Sequence, residues 1–135
     1  MERQNISSGA PWETIAGYSR AVRVGRFVHV AGTTAADENG TVIDANDPYA
    51  QAVYIFRKIE AALAEAGATL ADVVRTRMYV THIDDWQQIG KAHSEFFSMV
   101  RPAATLVEVS KLITPEFLVE IEVDAIITKP TPGAE

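Results

Sequence analysis

Acidic residues recur at every second position in the segment LVEIEVDAII, near the end of the chain. The carboxylates that share this spacing are Glu120, Glu122 and Asp124. Side chains of a β-strand point to alternate faces, so the carboxylates are predicted on one face and the apolar residues on the other. The pattern predicts either a solvated polar face of an antiparallel sheet or the wall of an interface between subunits, lined by ion pairs and a pocket.

A second segment, VVRTRMYV, supplies the opposite charge. The side chains predicted to share its apolar face with Thr76 are Val74, Met78 and Val80. The side chains predicted on its other face are Arg75, Arg77 and Tyr79. If the two segments are neighbouring strands, Arg77 is placed to form a cross-strand ion pair with Glu120 or Glu122.

Other residue types that carry chemistry are few and scattered. The histidines His29, His82 and His93 form no His-x-x-x-His pair, and the chain has no cysteine. Disulfides, thiolate zinc ligands and cysteine nucleophiles are therefore excluded. No serine lies in a nucleophile-elbow motif. We predict no metal site and no cofactor.

Composition limits the class of protein. The chain of 135 residues is long enough for one domain, and its 47% hydrophobic content is ordinary for a globular protein. The formal net charge of −6 argues against binding to nucleic acid. The first residues lack the apolar stretch of a signal peptide, and no apolar run reaches the length of a membrane span. We predict a cytoplasmic protein that binds neither a membrane nor nucleic acid.

The hydrophobic period changes along the chain. YSRAVRVGRFVHVAG predicts a β-hairpin, and DPYAQAVYIFRKIEAALAEAGA predicts a long helix capped by Asp47. DDWQQIGKAHSEFF predicts a second helix between strands, and ATLVEV and LVEIEVDAII predict the last two strands. We predict one α+β domain over residues 1–135, with a loose N-terminal arm at 1–14 and a polar tail at 129–135. Two helices cover one face of a mixed sheet, so the other face must meet something else.

Six segments in this order resemble the RidA family, also called YjgF or L-PSP proteins. They are GYSRAVRVG, VHVAGTT, AGATLADVVRTRMYVT, HSEFF, RPAATLVEV and LVEIEVDAI. The resemblance extends from about Tyr18 to Ile127. It implies a chorismate-mutase-like fold and a homotrimer, with a small-molecule ligand cleft at each subunit interface.

The resemblance also implies catalytic and substrate-binding residues. The family's tyrosine matches Tyr18, its glycine after the second strand of the hairpin matches Gly32, and its glutamate matches Glu120. The glutamate positions water or moves protons in family members. These positions predict Glu120 and Tyr18 as catalytic residues and Gly32 as a substrate-binding residue.

One position departs from the family pattern. An arginine that binds the substrate carboxylate in the family corresponds here to Ala104, which has neither a donor nor a charge. Thr105 and Leu106 continue the predicted substrate-binding wall. Arg77 is the predicted replacement cation, because a guanidinium binds a carboxylate through two N–H donors. The chain is therefore predicted to be a diverged member of the family.

The resemblance implies hydrolysis of a small enamine or imine, that is, a deaminase reaction. Because Ala104 replaces the arginine, the substrate is predicted to be unusual. The alternative is a trimeric protein that binds metabolites without turning them over. A deaminase of the 2-aminomuconate type and an endoribonuclease are further alternatives, and the acidic charge argues against the last.

Overall fold

The structure, a computed structural model, describes residues 1–128. The polar tail predicted at 129–135 lies outside the described residues. The strands are β1 (Arg3–Ile6), β2 (Ala21–Val24), β3 (Phe27–Thr33), β4 (Val73–Val80), β5 (Ala103–Glu108) and β6 (Val119–Ile126). The helices are α1 (Pro11–Ala16), α2 (Pro48–Glu65) and α3 (Trp86–Phe97), and single 3-10 turns precede β4 and α3.

All of these strands join one mixed sheet in the order β1-β2-β3-β6-β4-β5. The only parallel neighbours within residues 1–128 are β4 and β5, which α3 connects. The last strand in sequence, β6, therefore lies between β3 and β4. The α+β class with a mixed sheet is confirmed.

The alternation predicted for β6 is confirmed. Its apolar side chains are at most 1% exposed and lie on the face that α2 covers: Val119, Ile121, Val123 and Ala125. Its acidic side chains lie on the opposite face and are partly exposed. We call this opposite face the bare face, because α2 and α3 do not cover it.

Helix α2 begins as predicted. The Asp47 carboxylate accepts a hydrogen bond of 3.0 Å from the Ala50 backbone N–H, and Pro48 occupies the first turn. In the middle of the helix, the fully buried Phe56 ring lies 5.2 Å from Phe96 and 5.5 Å from Phe97, measured between ring centroids. These aromatic contacts join α2 to α3 and hold both helices on one side of the sheet.

The N-terminal residues differ from the loose arm that we predicted. Residues 3–6 form β1, which pairs with β2 along its whole length, and residues 11–16 form α1. Only Ile6 of β1 is buried, with 6% exposure. The strand is stabilised by hydrogen bonds to a partner about 18 positions later in the chain. A local pattern of polar residues carries no sign of such pairing.

Val74 also differs from its predicted place on the apolar face, since it is 40% exposed. The register between β4 and β6 shifts between Val73 and Arg75, as in a β-bulge. The extra residue gives the buried position to Val73. A bulge changes the alternation locally, which strict period-two reasoning does not anticipate.

We expect Ile6→Ala to lower the free energy of unfolding by about 2 kcal/mol, because it removes buried methyl groups under β1. The matched control is Ile15→Ala in α1, where the side chain is 81% exposed. That change should stay within about 0.5 kcal/mol. Urea denaturation measures both. Equal effects of the two substitutions would contradict a structural role for β1.

Candidate functional site

A cavity of about 240 Å³ lies between the N-terminal segment, the ends of β2 and β3, and α2. We call it the N-terminal cavity. Its lining includes Ser8, Trp12, Tyr18, Arg20, Gly32, Asp37, Glu38, Tyr54, Lys58 and Glu65. Two of the residues predicted for the site, Tyr18 and Gly32, are therefore in one cavity of a single chain.

Tyr18 reaches the cavity because α1 ends at Ala16 and the chain turns at Gly17. Gly17 adopts a left-handed conformation with φ of 77°, and the Gly17 and Tyr18 N–H groups both donate to the Glu13 carbonyl. A residue without a Cβ takes this conformation at little cost. The chain then turns toward β2, and the Tyr18 side chain stays 37% exposed beside the cavity.

The loop before α1 is held by Glu13, which is 7% exposed. Its carboxylate accepts hydrogen bonds from the Ser8 hydroxyl at 2.5 Å and the Ser8 N–H at 3.1 Å. Burial alone would raise the pKa of Glu13, but the bonds from Ser8 outweigh burial and the pKa lies below its usual value. Glu13 is thus an ionised anchor for the segment that forms one wall of the cavity.

Arg20 follows Tyr18 closely and is only 8% exposed. Its Nη1 donates to the Gly32 carbonyl at 3.2 Å and to the Thr33 hydroxyl at 3.1 Å. The guanidinium carbon lies 5.6 Å from the centre of the Tyr18 ring. A permanent positive charge is therefore fixed between the two predicted site residues.

Glu120 does not itself line the cavity, but its carboxylate lies against Gly32, which does. A Cβ added to Gly32 would collide with the Glu120 carboxylate oxygen and would lie 3.1 Å from its Cδ. Only a glycine therefore lets the carboxylate take this position. Burial raises the pKa of Glu120, the neighbouring Glu122 raises it further, and the charge of Arg20 offsets part of the rise. A carboxyl with a raised pKa is a candidate for proton transfer.

Lys58 supplies a second cation to the cavity from the middle of α2. Its Nζ donates to the Thr34 carbonyl at 3.0 Å and to the Ala36 carbonyl at 2.8 Å. Burial, together with the nearby charge of Arg20, lowers the pKa of Lys58 to about 8. The amine therefore remains mostly protonated at pH 7.

Arg77 does not lie where its predicted role in ligand binding would require. Its Nη1 lies 2.9 Å from Asp124 and 3.5 Å from Glu122 across β6, and it is not among the residues that line the N-terminal cavity. The His29 Nδ1 lies 2.8 Å from the same Asp124. Burial would raise the pKa of Asp124, but the bonds from His29 and Arg77 lower it overall. Glu122 was one of the partners predicted for Arg77. Asp124, which makes the shorter contact, was not.

The other predicted residues lie on β5, at the opposite edge of the sheet from β1. Ala104 pairs with Thr76 and Leu106 with Met78, so both face the helices, whereas Thr105 pairs with Arg77 on the bare face. Leu106 lines a second, apolar cleft beside α3 together with Trp86 and His93. In one chain, β4 and β6 separate these residues from Gly32, so the structure does not bring Ala104, Thr105 or Leu106 to the N-terminal cavity.

Arg20 and Lys58 were not singled out from the sequence. Lys58 carries one available signal, because it follows Tyr54 by four residues and the helical period places both on the same side of α2. Arg20 lies within the quoted segment GYSRA, two residues after Tyr18. Nothing local indicates that Arg20 is buried or Lys58 half-buried, since burial depends on distant segments that fold around them.

Within residues 1–128, no group of three or more histidine, aspartate or glutamate side chains is arranged to hold a metal ion. Across the same residues, no helix is both long enough and apolar enough to cross a membrane.

Comparison with known proteins gives consistent results. The profile of the family described as Endoribonuclease L-PSP matches residues 8–127. The uncharacterised protein SCO2049 of Streptomyces coelicolor is 40% identical over 122 residues, covering 90% of each chain. A RutC family protein of Pyrococcus abyssi is 37% identical, covering 90% of this chain and 95% of its own.

A solved structure is also similar. The crystal structure of Rv2704 from Mycobacterium tuberculosis, described as a member of the YjgF/YER057c/UK114 family, superimposes with a TM-score of 0.85. The two sequences are 49% identical, and the match covers 93% of this chain and all of the other. The resemblance in sequence and the fold therefore agree.

We expect Gly32→Ala to lower the free energy of unfolding by about 1–3 kcal/mol, because the added methyl group overlaps the Glu120 carboxylate. Most of this cost should disappear in a Glu120→Ala background, as urea denaturation in a double-mutant cycle measures. The control is Gly90→Ala in α3, where an added Cβ meets nothing within 4 Å and helix propensity favours alanine. An equal cost of Gly32→Ala in both backgrounds would contradict the contact.

Proposed function

This chain belongs to the Endoribonuclease L-PSP (YjgF/RidA) family, and on that premise we propose that it hydrolyses a small enamine or imine. The observation that carries the proposal is the Glu120 carboxyl, which lies against Gly32 beside a cavity that Tyr18 and two cations line. Burial raises the pKa of this carboxyl, which favours proton transfer over a purely structural role.

Hydrolysis of an imine needs a base and then an acid. In the base form, the Glu120 carboxylate takes a proton from water as the water oxygen bonds to the imine carbon. In the acid form, the same carboxyl gives that proton to the nitrogen as the C=N double bond becomes single, which leaves a carbinolamine. The carboxylate then takes the carbinolamine hydroxyl proton and passes it to the amino nitrogen, and the C–N bond breaks as the C=O bond forms. The products are a carbonyl compound and ammonia. One carboxyl with a raised pKa serves both steps, because it accepts a proton as a carboxylate and returns it as a carboxylic acid.

Tyr18 is proposed to orient the ligand through its hydroxyl, which both donates and accepts hydrogen bonds. Its ring is held by the turn at Gly17 and by the neighbouring Arg20 guanidinium. A positioned hydroxyl reduces the number of orientations in which the imine carbon meets water, which is the contribution that orientation makes to catalysis.

The substrate is proposed to differ from 2-aminoacrylate, the usual small enamine of the family. Ala104 offers no donor for a carboxylate at the position where the family arginine stands. We expect hydrolysis of 2-aminoacrylate near the uncatalysed rate, with some activity gained in Ala104→Arg. Robust activity of the unmodified chain would show that another cation holds the 2-aminoacrylate carboxylate where the family arginine would hold it.

The alternative is a trimeric protein that binds metabolites without catalysing their conversion. The same cavity and cations suit it, and it requires no role for Glu120 in proton transfer. An endoribonuclease is less well supported, because the net charge is −6 and Asp37, Glu38 and Glu65 line the cavity with further negative charge.

We also propose a homotrimer built on the bare face of the sheet. Large apolar side chains remain exposed there: Phe27, opposite Ile126, is 50% exposed, and Val107, opposite Tyr79, is 42% exposed. Exposed apolar groups among paired charges are typical of a surface that another subunit covers. A neighbouring β5 would then bring Ala104, Thr105 and Leu106 toward a site that one chain alone does not assemble.

We expect Glu120→Gln to lower the hydrolysis rate about 10²–10⁴-fold, the usual contribution of acid–base catalysis. The measurement is 2-oxo acid formation from imines that an amino-acid oxidase generates in the same vessel. The control is Glu122→Gln, which alters the next carboxylate on the same face. In the unmodified chain, the rate should fall as the pH falls through a pKa above that of an ordinary glutamate, because the base form of Glu120 is lost. If the chain accelerates the hydrolysis of none of these imines, the result would favour the alternative of a protein that binds metabolites without turnover.

Light scattering should give about three times the chain mass of 14.7 kDa if the bare face forms a closed interface. Phe27→Asp should shift the mass toward one chain, because a buried unpaired carboxylate is costly. The control is Ile15→Asp, a change at the 81% exposed side chain of Ile15 in α1. A monomeric unmodified chain at micromolar concentration would contradict the trimer.

A further inference from the structure

The guanidinium of Arg20 has an unpaired edge. Nη1 makes both of its hydrogen bonds, to Gly32 and Thr33, while the buried Nε has no partner within residues 1–128. Nε–H and the neighbouring Nη2–H point in parallel and form the side of the guanidinium that binds a carboxylate bidentately. The edge that Arg20 leaves without a described partner is therefore the one suited to an anion.

Within residues 1–128, no carboxylate lies within ion-pair distance of Arg20, although its charge acts on the nearby Glu13 and Glu120 carboxyls. The ion pairs found among residues 1–128 are His29 with Asp124 and Arg77 with Glu122 and Asp124, and none includes Arg20. The nearby Glu13 is already hydrogen-bonded to Ser8. A buried cation with no directly bonded counterion is unfavourable, so a cavity beside it attracts an anion.

The backbone on both sides holds Arg20 in place. Its N–H donates to the Ile6 carbonyl at 2.8 Å, and its carbonyl accepts from the Ala31 N–H at 2.9 Å. Together with the two bonds of Nη1, these contacts restrict the orientations of the side chain before a ligand arrives. A preorganised donor pair binds an anion more tightly than a flexible side chain, because less freedom is lost on binding.

A second positive charge lines the same cavity. The Lys58 Nζ is held by the Thr34 and Ala36 carbonyls, on the loop that follows β3. Asp37, Glu38 and Glu65 also line the cavity and oppose multiply charged anions. The positive and negative charges of the lining together favour a ligand with one carboxylate and no other charge. The cavity volume of about 240 Å³ limits that ligand to a small molecule.

We propose that Arg20 is the anion-binding residue of the N-terminal cavity and that its Nε–H and Nη2–H bind the carboxylate of a small monocarboxylic ligand, with Lys58 adding attraction. This assignment rests on the proposed function only in placing the ligand beside Glu120. Arg20 immediately precedes β2, in the same chain as Tyr18 and Gly32, so it would hold a carboxylate at a different place from the family arginine that Ala104 replaces on β5.

The experiment measures binding without turnover. The probe is pyruvate, a stable 2-oxo acid, and the control ligand is pyruvamide, which has nearly the same shape without the charge. Calorimetry should show that pyruvate binds to the unmodified chain more tightly than pyruvamide. In Arg20→Lys, which keeps the charge and loses the paired donors, pyruvate affinity should fall about tenfold to a hundredfold. The affinity for pyruvamide should change little.

The matched control variant is Arg23→Lys. Arg23 is also a partly buried arginine that donates to backbone carbonyls, those of Gly25 and Ala66, but it does not line the N-terminal cavity. Its replacement should leave pyruvate affinity unchanged. An equal loss in Arg23→Lys and Arg20→Lys would overturn the proposal, since it would indicate a general loss of structure.

A spectroscopic measurement on the unmodified chain keeps the test decisive if Arg20→Lys does not fold. The nitrogen-15 and proton resonances of the Arg20 Nε–H group should shift on titration with pyruvate and stay in place with pyruvamide. Unchanged Nε–H resonances at saturating pyruvate, or equal affinity for the two ligands, would overturn the proposal. Binding through Arg20 combined with no hydrolysis of any imine would refute the proposed enzyme and leave the anion site standing.

Discussion

The position of β6 between β3 and β4 determines most of this structure. Its apolar side chains fill the core beneath α2, and its acidic side chains form a row along the centre of the bare face. The strand contributes apolar side chains to the core and carboxylates to the bare face. A shift of its register by one residue would therefore place carboxylates in the core. The core and the charge pattern of the site therefore depend on the same alternation.

The acidic row shows how surroundings give similar residues different properties. Burial would raise the pKa of both Glu120 and Asp124. Asp124 pairs with His29 and Arg77, and its pKa is lowered overall. Glu120 has no cation within bonding distance among the described residues, lies next to Glu122, and keeps a raised pKa. Two carboxylates four residues apart are thereby separated into an ionised structural group and a candidate for proton transfer.

The N-terminal cavity brings this carboxyl close to buried positive charge. Arg20 and Lys58 both use backbone carbonyls as partners, which orient them without neutralising their charge. The orientation of both cations is fixed before an anionic group binds. Each cation is held by a different element of the fold. The short strand β1 and helix α1 close the cavity, which gives the polar N-terminal segment a role beyond the edge of the sheet.

The sequence alone determined the alternation of β6, the capped helix that begins at Asp47, and the family resemblance that pointed to Tyr18, Gly32 and Glu120. These features depend on neighbouring residues or on a pattern of fixed order, which local reasoning captures. Only the tertiary structure decided that Arg77 pairs with Asp124 and that Arg20 is buried with a free donor edge. Burial and pairing depend on segments that are distant along the chain, and their energies arise only when those segments meet.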